Sequence, residues 1–174
     1  MKGYFLEACK ELGVATDNIR FTYEGIGQHF ATSENAAESN SNDEVIINTD
    51  WIDATLESGD YYDFRFLMYH EARHFYQNMI IQDFLKRGKS KELPATIKQW
   101  IYEAKNYIRN EGTPESAKAN RDQLMEIDAN AFALCLLQKN GITEMRIPPG
   151  QEDVMIKRMK EIFLGVWRLK ADIH

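Results

Sequence analysis

His70 and His74 stand four residues apart, with Glu71 between them, in the stretch His70-Glu71-Ala72-Arg73-His74. The surrounding run from Tyr61 to Lys86 has no Pro or Gly and carries apolar residues at helical spacing, which predicts one long helix. Positions four apart on a helix lie one turn above each other on the same face, so the two imidazoles can point at one place. At about 100° per residue, Glu71 lies about 100° round from His70 and about 60° from His74. That sets a carboxylate beside the shared point and not on it. This HExxH spacing serves one chemistry: two His ligands to Zn²⁺, with the Glu as general base on a water held there. Without a metal, the same three residues would be the polar face of an ordinary helix.

A catalytic zinc needs three protein ligands and one open position. One known solution places a Gly three residues after the second His and a third His three residues further on. Positions 77 and 80 are Gln and Ile, which excludes it. The other common solution takes a carboxylate from a later helix. Leu124-Met-Glu126-Ile-Asp128-Ala-Asn130-Ala-Phe132-Ala133 offers one. Glu126 and Asn130 are four apart on one face. Glu126 can ligate the metal, and Asn130 can accept the outer N–H of a ligand His, which fixes the ring's tautomer and orientation. Helix geometry favours Glu126, and Asp128 becomes the ligand in a shifted register. The alternative for this stretch is an amphipathic helix with surface acids.

These residues need a framework to hold them. The chain has 174 residues, enough for one domain, 1–174, with a normal core. Its 44% hydrophobic and 28% charged residues are ordinary for a globular protein. The formal charge of −6 lacks the basic footprint of a nucleic-acid binder. No apolar run approaches the roughly 18 residues of a membrane span. The N-terminal segment is too short in apolar residues for a signal peptide and is interrupted by Glu7. Cys9 and Cys135 each sit in a helical apolar pattern, and with no export signal they are expected as buried free thiols. The expected compartment is the cytoplasm.

Taken in order, residues 3–12 predict a helix with Phe5, Ala8, Cys9 and Leu12 on one face and Gly13 as its stop. Residues 18–23 alternate as a strand, and 26–32 suggest a second, with His29 as a strand side chain. Residues 33–44 are rich in Ser, Asn and Glu and are expected to be a loop. Val45–Asn48 is a short apolar strand, and 49–59 connect it to the HExxH helix, with Asp60 as a plausible N-cap and Asp63 three residues on. That helix should end near Arg87-Gly88. Pro94 opens a helix to 110, with Ile97, Trp100, Ile101, Ala104, Tyr107 and Ile108 as a core-facing stripe. Thr113-Pro114 opens a fourth helix that runs to about Asn140. The last helix covers roughly 152–170, with a stripe of Met155, Met159, Ile162, Phe163, Val166 and Trp167. The fold class is α+β, a small three-stranded N-terminal sheet packed on the HExxH helix and the glutamate helix.

The HExxH residues followed by Glu126-Ile-Asp-Ala-Asn130-Ala-Phe-Ala133 resemble the glutamate-type zincins (gluzincins). The pattern is most similar to the ImmA/IrrE-like metallopeptidases of phages and mobile elements, which carry HExxH and then a helix reading roughly E-x-x-A-N-x-F-A. The resemblance covers roughly residues 15–137 and is strongest over 45–137. It implies His70, His74 and Glu126 as ligands to one Zn²⁺ and Glu71 as base. It also implies Val45–Asn48 as the edge strand along the cleft, where a substrate peptide could pair. The chain departs from the pattern in the added helix at 94–110 and in Arg73, which stands where many members have a small or apolar residue.

The implied reaction is peptide-bond hydrolysis, with Glu71 moving a proton from water to the leaving amine. The oxyanion needs a further donor, and Tyr23, Tyr76, His29 and Arg73 are candidates. A peptide or protein is then the substrate, with no nucleic-acid or membrane partner and an open oligomeric state. The rival is a metal-holding interaction module or regulator on the same scaffold, without turnover. A third reading is a helical domain with no metal. Peptide deformylase chemistry would need a Cys ligand from a loop, whereas both Cys lie in helical patterns.

Overall fold

The computed structural model describes residues 1–33, 35–40, 43–59 and 61–167. Among them the chain is α+β, a three-stranded sheet and seven helices. Helix α1, Lys2–Leu12, buries Phe5, Ala8, Cys9 and Leu12 and stops at Gly13, whose φ of 68° closes the helix in the left-handed region. Strand β1 is Arg20–Glu24.

The expected strand over 26–32 does not form. Those residues turn back on themselves: Gly27 N–H donates to the Phe30 carbonyl at 3.0 Å, and Ile26 and Phe30 make only an isolated bridge. The missing strand lies inside the stretch expected as a loop. It is β2, Ala37–Asn40, and every one of its residues is half-buried. Strand β3, Glu44–Asn48, buries Val45, Ile46 and Ile47 in succession, so both of its faces are covered. The strand order is β1-β3-β2, with β1 parallel and β2 antiparallel to β3, and Val45 faces Phe21 on one side and Ser39 on the other. Val45–Asn48 is therefore the central strand and not the edge. A continuous apolar run marks a strand covered on both faces, whereas the edge falls to the polar β2.

The segment expected only as a connection is mostly helical. Helix α2, Thr49–Ser58, starts where the Asn48 side chain accepts from Asp50 N–H at 3.0 Å. Asp60 lies outside the described residues. Helix α3, Tyr62–Arg87, is the long predicted helix and ends at Gly88 with φ 66°. It packs between α1 and a later helix, burying Met68, Tyr69, Ala72, Tyr76 and Ile80.

Helix α4, Pro94–Lys105, begins with Pro at its first turn and buries Ile97 and Trp100. It ends five residues before the expected end at 110. Asn106 closes it, the side-chain amide donating to the Tyr102 carbonyl at 2.8 Å, so Tyr107 and Ile108 leave the helical face. The predicted fourth helix is two helices, α5 at Pro114–Arg121 and α6 at Leu124–Lys139. The break has a distant cause. Buried Glu103 of α4 accepts from Leu124 N–H at 3.0 Å and Met125 N–H at 2.7 Å, satisfying donors that a helix start leaves open. A carboxylate at that end is worth roughly 1 kcal/mol.

Helix α6 is buried on nearly all sides, between α3 and helix α7, Glu152–Ile162. The expected 152–170 helix thus ends at Ile162 and passes into a π-helical turn, Phe163–Trp167. The side chains of Val166 and Trp167 and residues 168–170 lie outside the described residues. No helix among the described residues is long and apolar enough to cross a membrane.

Candidate metal centre

One turn of α3 separates His70 from His74, and their rings meet edge to face with centroids 4.5 Å apart. The two Nε2 atoms lie 2.9 Å from each other. Helix α6 brings Glu126 to the same point, with Oε2 at 3.4 Å from His70 Nε2 and Oε1 at 3.2 Å from His74 Nε2. Two ligands at about 2.0–2.1 Å on a tetrahedral ion are about 3.3–3.4 Å apart. The two His–Glu distances match that spacing and the two Nε2 atoms lie closer than it, and two imidazoles with a carboxylate are donors that suit a zinc-like cation.

The outer nitrogens of both rings are held. His70 Nδ1–H donates to Asn130 Oδ1 at 2.8 Å, and His74 Nδ1–H donates to Gln77 Oε1 at 2.8 Å. Side-chain amide oxygens only accept, so each Nδ1 carries a proton and each Nε2 turns towards Glu126. Burial opposes charge on His74, but the Glu126 carboxylate outweighs it, and His74 is pushed up to about 9. Burial also opposes the Glu126 anion, yet His74 and His70 hold it well below the usual carboxylate range.

Asp128, the alternative ligand, faces elsewhere. Its carboxylate accepts from Arg73 Nε at 2.8 Å, Arg158 Nε at 2.7 Å and Gln77 Nε2 at 2.7 Å. Arg73 is 1% exposed, wrapped by the rings of Tyr76, Trp100 and Phe132. This explains how an Arg sits one residue before a ligand His: it belongs to the α3–α6 interface and not to the cleft.

Glu71 is buried at the rim of the same point, and its Oε2 has no hydrogen-bond partner among the described residues. Its backbone carbonyl accepts from the Ser39 hydroxyl at 3.0 Å, which ties edge strand β2 to the helix. A cavity of about 530 Å³ opens over these groups, lined by Glu71, both His, Glu126, residues 37–39 of β2 and the loop after α4.

That loop delivers a residue with no predicted site role. The Tyr107 hydroxyl donates to Glu126 Oε1 at 2.5 Å. Burial, then the Glu126 charge, push its phenol up, so it stays a donor. Asn120 holds the loop from below, its amide donating to the Tyr107 oxygen at 3.1 Å and to the Ile108 carbonyl at 2.8 Å. Gln123 clamps Ile108 from both sides, accepting from its N–H at 2.9 Å and donating to its carbonyl at 3.0 Å. Of the four expected oxyanion donors, only His29 lines the cavity. It lies 3.2 Å from Glu38, which also pairs with Arg109 at 3.1 Å across the cleft. Tyr76 donates to Glu92, and Tyr23 is 55% exposed on β1. Gln77 also went unassigned, although its place three residues after His74 sets it on a neighbouring face.

Comparison of the chain with protein-family models, with curated proteins and with solved structures finds no match.

Proposed function

We propose that the chain is a zinc-dependent peptide hydrolase of zincin-like architecture, the reading implied by its resemblance to the ImmA/IrrE-like gluzincins. The observation that carries it is the convergence of His70, His74 and Glu126 within 4.8 Å, with the buried Glu71 carboxylate beside them, its Oε2 without a hydrogen-bond partner among the described residues. When bound, zinc would supply Lewis acidity to activate a water and polarise a carbonyl. His70, His74 and Glu126 would hold it, while Asn130 and Gln77 fix the rings. Glu71 would take the proton of the attacking water and pass it to the departing amine, which accounts for a buried carboxylate oxygen with no hydrogen-bond partner among the described residues. Tyr107 lines the cavity beside His29 and would serve as an oxyanion donor once its hydroxyl turns from Glu126. Among the described residues β2 is an edge strand that borders the cavity, so an extended peptide adding to that edge would lie across the site.

The test combines elemental analysis with cleavage of a broad peptide set. The expected result is close to one zinc per chain and cleavage that stops on chelation and returns with zinc. Absence of any transition metal after zinc is supplied would overturn the proposal. A second reading, a metal-holding interaction module without turnover, is supported by the Arg109–Glu38 bridge across the cleft. Full zinc loading without cleavage of any peptide would favour it.

A further inference from the structure

On the side of α3 away from the cavity, one hydrogen-bonded chain runs from His74 into a buried charge cluster around Asp128. Gln77 is fully buried, and its amide is used completely. Its Oε1 accepts from His74 Nδ1–H at 2.8 Å, and its Nε2 donates to the Met125 carbonyl at 3.0 Å and to Asp128 Oδ2 at 2.7 Å. Turning the amide over would set oxygen against two acceptors and Nε2 against the N–H of His74. Buried unpaired groups of that kind are costly, so the orientation is fixed by what lies behind it. Behind it, Asp128 accepts from Arg73 Nε at 2.8 Å and Nη2 at 3.1 Å and from Arg158 Nε at 2.7 Å. His70 needs no such chain, because Asn130 reaches it directly from α6.

We propose that Gln77 and Asp128 are positioning residues for His74: Asp128 locks the Gln77 amide, and the locked amide keeps the His74 proton on Nδ1 and the Nε2 lone pair towards the metal point. The proposal rests on the metal-centre reading. It gives the residue that sequence offered as an alternative ligand a different task, one carried through Gln77. It also explains why the two ligand-bearing helices are tied by a buried polar cluster where an apolar seam would pack as well.

The experiment measures zinc affinity by chelator competition, the visible spectrum of the cobalt-substituted protein, and the His74 Nδ1–H resonance in the zinc-loaded protein. Gln77→Leu keeps the side-chain size and removes the acceptor. It should weaken zinc binding about 10–100-fold, alter the cobalt spectrum and broaden the Nδ1–H signal by exchange. His70 is the control in the same variant, because Asn130 holds its Nδ1–H without Gln77. The His70 Nδ1–H signal should stay sharp while that of His74 broadens. A purely structural role predicts otherwise, because loosening the α3–α6 pair would broaden both signals alike. Wild-type affinity in Gln77→Leu, or loss of both signals together, would overturn the positioning role while leaving the metal centre intact. A wild-type chain that binds no zinc would overturn both.

Discussion

Tyr107 and Glu126 come from segments separated by a helix and a turn, yet the Tyr107 hydroxyl donates to Glu126 Oε1 at 2.5 Å. The contact depends on α4 ending at Lys105 and on Asn120 and Gln123 holding the loop beyond it. Tyr107→Phe keeps the ring and removes the donor. The expected outcome is a fall in kcat for peptide cleavage of about 10²–10³-fold, the usual effect of losing one oxyanion donor. Zinc affinity should also fall, by about 10–100-fold, because the lost hydroxyl is the hydrogen-bond partner of the ligand Glu126, so kcat is compared at saturating zinc. Steady-state kinetics and chelator competition on one preparation check both. An unchanged kcat would return the role to another group in the cavity, of which His29 is the first to try.

Arg73 makes a different kind of prediction. Its guanidinium is buried against Asp128 and Glu92 and stacked among Tyr76, Trp100 and Phe132. Removing one member of a buried charge cluster leaves the others desolvated without compensation, at a cost of about 3–5 kcal/mol. Arg73→Met should therefore lower unfolding stability by that amount in urea at neutral pH, with the midpoint shifted and the slope kept. A loss below about 1 kcal/mol, the scale of exposed ion pairs, would mean the cluster is held by packing alone.

The HExxH helix was legible because its stripe runs unbroken for seven turns and a left-handed Gly88 ends it. The facing of Glu126 and Asn130 followed from their spacing on α6. What sequence missed was set by distant partners. Strand β2 has no alternating apolar pattern, because its place comes from backbone pairing to β3. The start of α6 comes from Glu103, twenty-one residues upstream of Leu124. Tyr107 fell in phase with the α4 stripe, and only Asn106, which competes for the helix carbonyls, signalled that the helix had ended.

Cys9 and Cys135 are free and buried, and burial pushes both thiols up to about 12 from an ordinary value of 9.0. The native protein at pH 8 should react with a thiol reagent only slowly, and the denatured chain should show both thiols at once. The sign of the pH effect follows. Each thiol's contribution to stability is full below pH 9.0 and is lost as the pH rises towards about 12, because only the unfolded chain ionises in that window. Rapid native labelling at pH 8 would show that α1 or α6 opens locally.

The central claim is that Glu71 performs proton transfer beside a bound zinc, and it is tested most directly by peptide cleavage in wild type and Glu71→Gln, both loaded with zinc. Gln is nearly isosteric, so fold and zinc content should be kept. It cannot take the proton from water, so the cleavage rate should fall by at least about 10²–10⁴-fold. Equal cleavage by the two zinc-loaded proteins, on a peptide that wild type cuts, would contradict the account.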